Sequence, residues 1–165
     1  MRTFGLIAGA ALVLAACAGS PEDERLLISE IRVGTDLAAV GSREAVAYWQ
    51  SLSGDLETAM ANQFVGQIDP SGNVITVDVD EISLNTPFMS GATVETAVLS
   101  GRVEMLNPAG TIEAAYDVTA SAQDVAAFLP AGTDIVSIRP TSAEYYQAVV
   151  QAFARGAALT LQADA

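Results

Sequence analysis

Two alternating runs separated by four turn residues constrain this chain more than any other feature. Leu99, Gly101, Val103 and Met105 form the apolar set before Asn107-Pro108-Ala109-Gly110; Ile112, Ala114, Tyr116 and Val118 form the set after it. A period of two puts each set on one face of a strand, and a four-residue loop containing proline and glycine between them predicts a hairpin. With Leu106 opposite Thr111, Met105 faces Ile112, Val103 faces Ala114, Gly101 faces Tyr116 and Leu99 faces Val118. All the apolar positions then share one sheet face, and Gly101 leaves room for the Tyr116 ring. Arg102, on the solvated face, is expected to reach Glu113 and Asp117 diagonally.

The segments around the hairpin read as further elements of a small domain. Leu26 to Val33 is a first strand, ended by Gly34-Thr35-Asp36. Ser42 is a good N-cap for a helix running towards Gln67, with Val46, Trp49, Leu52, Leu56, Met60 and Phe64 as its apolar stripe. Gly54-Asp55 marks an expected kink or break in it. After the turn Asp69-Pro70-Ser71-Gly72-Asn73, Ile75, Val77 and Val79 alternate with Thr76, Asp78 and Asp80 in a second strand. The alternation slips at Asp80-Glu81 before resuming at Ile82 and Leu84, which predicts a bulge.

Ser121 and Asp124 have capping-box spacing for a short helix to Leu129, stopped by Pro130-Ala131-Gly132. Thr141 or Ser142 opens a final helix striped by Tyr146, Val149, Val150, Phe153, Ala157 and Leu161, with Gly156 either inside it or at its C-cap. The element order predicts an α+β fold. Its form is a two-layer sandwich, with a mostly antiparallel sheet of about four strands and two main helices on one face.

The N-terminus has a different character. Residues 1–16 carry one charge, Arg2, and an apolar run from Phe4 to Ala16. That run is too short to span a bilayer as a helix and has the length of a signal-peptide core. Ala16-Cys17-Ala18 would serve an ordinary signal peptidase, whereas Leu14-Ala15-Ala16-Cys17 has the order of a lipobox. Cys17 is the only cysteine in the chain, so no internal disulfide can use it, and lipidation is a use for an otherwise unpaired exported thiol. The expected organisation is a signal peptide over 1–16, a lipidated cysteine and tether over 17–24, and one domain over 25–165.

Composition limits the chemistry. Twenty acids oppose seven arginines, and there is neither lysine nor histidine. With Arg2 removed in the signal peptide, six arginines remain against twenty acids, a net charge of −14 on the mature chain. Such a surface repels nucleic acid and anionic headgroups, so an attached lipid, not a basic patch, is the expected membrane contact. The most common general base, the most common zinc ligand and Schiff-base chemistry are absent from the sequence.

Candidate sites are few. Asp78, Asp80 and Glu81 are the densest carboxylate cluster; oxygen ligands at that spacing can hold calcium, but the solvated side of a strand in an acidic protein accounts for them better. Asp69-x-Ser71-Gly72-Asn73 reads as a turn rather than a calcium loop, because the glycine is fourth and no closing glutamate follows. Two carboxylates can run glycoside hydrolysis, but a single tryptophan leaves little for sugar stacking. Trp49 and Tyr146 fall on apolar stripes, which leaves Tyr48 and Tyr145 as the aromatics expected to face a partner. Arg43, Arg102 and Arg139 form a carboxylate- or phosphate-binding trio if the fold brings them together, and are scattered partners for the surplus acids if it does not. No catalytic, cofactor-binding or metal-binding residue is assigned; Cys17, as the lipidation site, is the one functional residue expected.

Leu14-Ala15-Ala16-Cys17, followed by the strand–helix–strand–hairpin–helix order, resembles small proteobacterial outer-membrane lipoproteins with domains of unknown function. More distantly, the plan resembles periplasmic lipoprotein domains of the curli-secretion and penicillin-binding-protein-activator kind. The resemblance implies a thioether-linked diacylglycerol and an N-acyl chain such as palmitate on Cys17. With Ala18 in place of a retention aspartate, it also implies the outer membrane, facing the periplasm. The role implied is non-catalytic, binding an envelope protein or assisting assembly; a binding module for a small apolar molecule or lipid is the alternative, and a carboxylate hydrolase a more remote one.

Overall fold

The computed structural model describes residues 26–163; the segments read above as signal peptide and tether, with Cys17, lie outside the described residues. A four-stranded mixed sheet in the order β1-β2-β3-β4 carries helices packed on one face. β1 (Ile28–Thr35) and β2 (Asn73–Val79) are parallel, joined through α1 (Arg43–Trp49) and α2 (Leu52–Gln63). β2 pairs antiparallel with β3 (Leu99–Leu106), and β3 with β4 (Ile112–Ala120). The fold is the α+β sandwich expected, and two of its three strand pairings are antiparallel.

The inner face of the sheet buries Val33, Ile75, Val77, Val79, Leu99 and Val103 against α2 and the final helix, α5 (Ala143–Ala163). From the helices come Leu52, Leu56 and Met60 on one side and Val149, Phe153, Ala157 and Leu161 on the other, all buried. Each large side chain so placed contributes roughly 1.5–3 kcal/mol. The outer face carries Arg32, Thr76, Asp78, Arg102, Glu104 and Asp117, and no helix among the described residues covers it.

The hairpin forms, but in a different register. Asn107, not Leu106, pairs with Thr111, its N–H donating to that carbonyl at 2.9 Å, and Gly110 takes a φ of 83°. A second one-residue shift between Met105 and Leu106 then puts Met105 opposite Ala114, Val103 opposite Tyr116, Gly101 opposite Val118 and Leu99 opposite Ala120. Two single shifts restore the original parity, so the apolar faces survive and only Ile112 is turned out to solvent. Gly101 is needed for another reason than the Tyr116 ring: a Cβ there would lie 2.6 Å from the Asp78 carbonyl on β2. Arg102 pairs with Glu104 at 2.9 Å and Asp117 at 3.8 Å, while Glu113 instead accepts from Asn73.

Three other expectations are corrected. The slip at Asp80-Glu81 is not a bulge: β2 stops at Val79, and Asp80 caps the short helix α3 (Glu81–Asn85) by accepting from the Ile82 N–H at 2.8 Å. The long first helix breaks at Gln50-Ser51, not at Gly54, which lies inside α2 with open space around it. The helix over 122–129 is shorter than read: α4 is Ala122–Ala126, held by the capping box of Ser121 and Asp124. Ser42 caps α1 through the Ala45 N–H, Ser142 accepts from the Tyr145 N–H at the start of α5, and Gly156 is interior to α5.

Candidate functional site

The helical layer presents a groove of about 660 Å³ between α2, the segment after α4 and the first half of α5. Ala59, Ala148 and Val150 form its apolar floor, and Phe128, Leu129 and Pro130 form one wall. Small side chains on both helices leave this space. Asp55 and Glu144 stand at its mouth, both exposed.

One end of the groove is stiffened by aromatic side chains. Tyr146 donates to Asp55 at 2.6 Å, joining α5 to α2. Its ring lies 5.3 Å from Tyr48 edge-on and 5.5 Å from Trp49, and Tyr48 makes a further edge contact with Phe88. Tyr48 donates to the Ser142 carbonyl at 2.9 Å, with the Pro140 carbonyl also in reach, and Trp49 Nε1 donates to the Leu84 carbonyl at 2.8 Å. Burial raises the Tyr48 and Tyr146 hydroxyls well above the ordinary tyrosine range, and for Tyr146 the Asp55 carboxylate adds to the rise.

Tyr145 and Tyr146 exchange their expected roles. Tyr145 is 1% exposed, its hydroxyl bonded to the Ala97 carbonyl and pushed up to about 12, first by burial and then by the Glu95 charge. Tyr146, read as core, lies in the wall of the groove. Adjacent positions on a helix point about 100° apart, and the stripe through Val149 and Val150 is wide enough to take either.

The carboxylate cluster does not converge. Asp78 lies on the open sheet face and Asp80 serves as a helix cap, although both border a shallow groove with Glu81, Arg102 and Asp117. Among the described residues no group of three or more histidine, cysteine or acidic side chains is placed to hold a metal ion. Asp69 turns its carboxylate back onto the Ser71 N–H and hydroxyl, as a turn residue does, which lowers its pKa. Arg43 opens α1, Arg139 precedes Pro140, and Arg102 on β3 pairs with Glu104 on the open face, so the three belong to separate elements.

Sequence reasoning missed the α2–α5 groove because its parts lie at 55–59, 128–130 and 143–151. The alanines at 59, 143 and 148 were its only local signal. Among the described residues no helix is long and apolar enough to cross a membrane. No protein-family profile, curated protein or solved structure matches the chain.

Proposed function

We propose that this protein is a lipid-anchored, periplasm-facing outer-membrane lipoprotein whose domain is non-catalytic and binds a segment of an envelope protein in the α2–α5 groove. The anchor follows from Leu14-Ala15-Ala16-Cys17 and the single cysteine. The groove is the observation that carries the binding role: an apolar floor on two packed helices, flanked by an aromatic wall, is the form that takes an amphipathic segment. Asp55 and Glu144 at its mouth favour a segment with arginine or lysine beside its apolar residues. A second reading, a small apolar molecule or lipid in the same groove, draws on its volume, which falls in the range of ligand sites.

The test is in-cell photocrosslinking with the reactive residue at Gln147, in the groove, or at Thr119, on the open sheet face, each with and without Cys17→Ala. A protein adduct from position 147 alone, lost with the anchor, is the expected result. A lipid or small-molecule adduct at 147 would favour the second reading, and equal adducts from both positions would overturn the groove as the site.

A further inference from the structure

We propose that the end of the sheet at which the chain enters the domain rests on the membrane surface, with Leu27, Val65, Ile68 and Ile112 as its contacts. This deepens the lipoprotein reading and rests on it. β1 and β2 start, and β3 ends and β4 starts, at the same end of the sheet. Four large apolar side chains are exposed there: Leu27 (39%), Val65 (77%), Ile68 (56%) and Ile112 (52%). Ile68 bridges to Ile28 beside the entry point, and the Leu27 carbonyl accepts from the Asn73 N–H, so the first three lie around the first turn of chain. Ile112 is three strands away, roughly 14 Å at the ordinary strand spacing.

Charge is distributed to match. The two loops at this end, 64–72 and 107–111, contain one acid, Asp69, and no other charged residue. The opposite end collects carboxylates: Asp36 after β1, Asp80 and Glu81 after β2, Glu95 before β3 and Asp124 after β4. An anionic bilayer repels that far end and leaves the entry end free to approach. The acids of the tether, Glu22, Asp23 and Glu24, add no attraction, so the contact is apolar and shallow.

The length of chain outside the described residues fits this placement. Nine residue steps separate Cys17 from Leu26, at most about 31 Å when fully extended. Leu26 is already buried in the domain, so the entry end is the part held closest to the anchor.

The full-length protein, purified from membranes and reconstituted in vesicles of phosphatidylethanolamine and phosphatidylglycerol, tests the idea. Mass spectrometry first establishes whether Cys17 is acylated. Single spin labels are then placed by Ile68→Cys or Ile112→Cys at the entry end, and by Ile82→Cys or Met89→Cys at the far end, all four positions being exposed. Collisions with lipid-soluble oxygen, relative to a water-soluble nickel chelate, are expected to be severalfold higher at 68 and 112 than at 82 and 89. Acylated protein with equal ratios at all four positions would overturn the orientation alone. Unacylated Cys17 would overturn the lipoprotein reading and this inference with it.

Discussion

Glu57 on α2 accepts the backbone N–H of Val33 on β1 at 3.1 Å, and beside it the Ser53 hydroxyl donates to the Val33 carbonyl at 2.6 Å. An edge strand presents unpaired backbone groups to any passing chain, and here two side chains of one helix occupy both groups of Val33, two residues from the end of β1. Replacing both, Ser53→Ala with Glu57→Ala, should cost about 1–3 kcal/mol, since the Val33 groups lose their partners. It should also raise self-association, read by sedimentation velocity. Unchanged stability and a monomer at high concentration would show that the contact does not guard the edge.

Two glycines should respond in opposite directions to alanine. Gly101→Ala puts a methyl 2.6 Å from the Asp78 carbonyl and 3.2 Å from the Val79 Cα, where backbone cannot give way cheaply. A loss of about 2–3 kcal/mol is expected. Gly54→Ala lies in the interior of α2 with nothing within 4 Å and should gain about 0.5–1 kcal/mol. Urea unfolding of the two variants checks both signs.

Alkaline pH should weaken the fold through three tyrosines. Burial raises the pKa of Tyr48, Tyr145 and Tyr146, to about 12 for Tyr145, while the unfolded chain ionises near pH 10. The unfolded state therefore loses protons first, and stability that is complete below about pH 10 declines as pH rises towards the folded-state values. Urea midpoints at pH 8, 10 and 11.5 should fall in that order, and less steeply in Tyr145→Phe.

Acid should weaken it through carboxylates that accept hydrogen bonds. The Ser121 hydroxyl and N–H lower the pKa of Asp124, the Ser71 hydroxyl and N–H that of Asp69, and the Arg32 guanidinium that of Glu30. Each lowered value gives stability that is present above the ordinary carboxylate pKa near 4 and lost as pH falls through the folded-state value. Ser121→Ala should cost about 1 kcal/mol at neutral pH and less at an acid pH low enough to protonate Asp124. Thermal melts at the two pH values distinguish this from a pH-independent cost.

Which features were legible in the sequence follows from the range of the forces that decide them. Caps at Ser42 and Ser121 are local hydrogen bonds within three residues, and they were readable. The apolar faces of the hairpin were readable too, because alternation fixes parity. Its register was not, since Asn107 and Gly110 set the turn through backbone geometry that several loop types share. Asp80 was misread because a cap and a bulge both interrupt alternation. The role of Gly101 depends on the approach of β2, and the groove depends on where α5 crosses α2; neither distance is written in any one segment.

The parallel pairing of β1 with β2 has a mechanical consequence. The chain enters β1 at the end proposed to face the membrane and leaves it at the far end. If Cys17 is anchored and the α2–α5 groove holds a partner as proposed, tension between them enters the domain along β1, not across it. The ladder from Glu30 to Thr35 is then loaded in shear, with its bonds sharing the force instead of unzipping in turn. A strand held in this way resists being pulled out, and a load reaching the domain through the chain before β1 meets the geometry in which a β-sheet yields least readily.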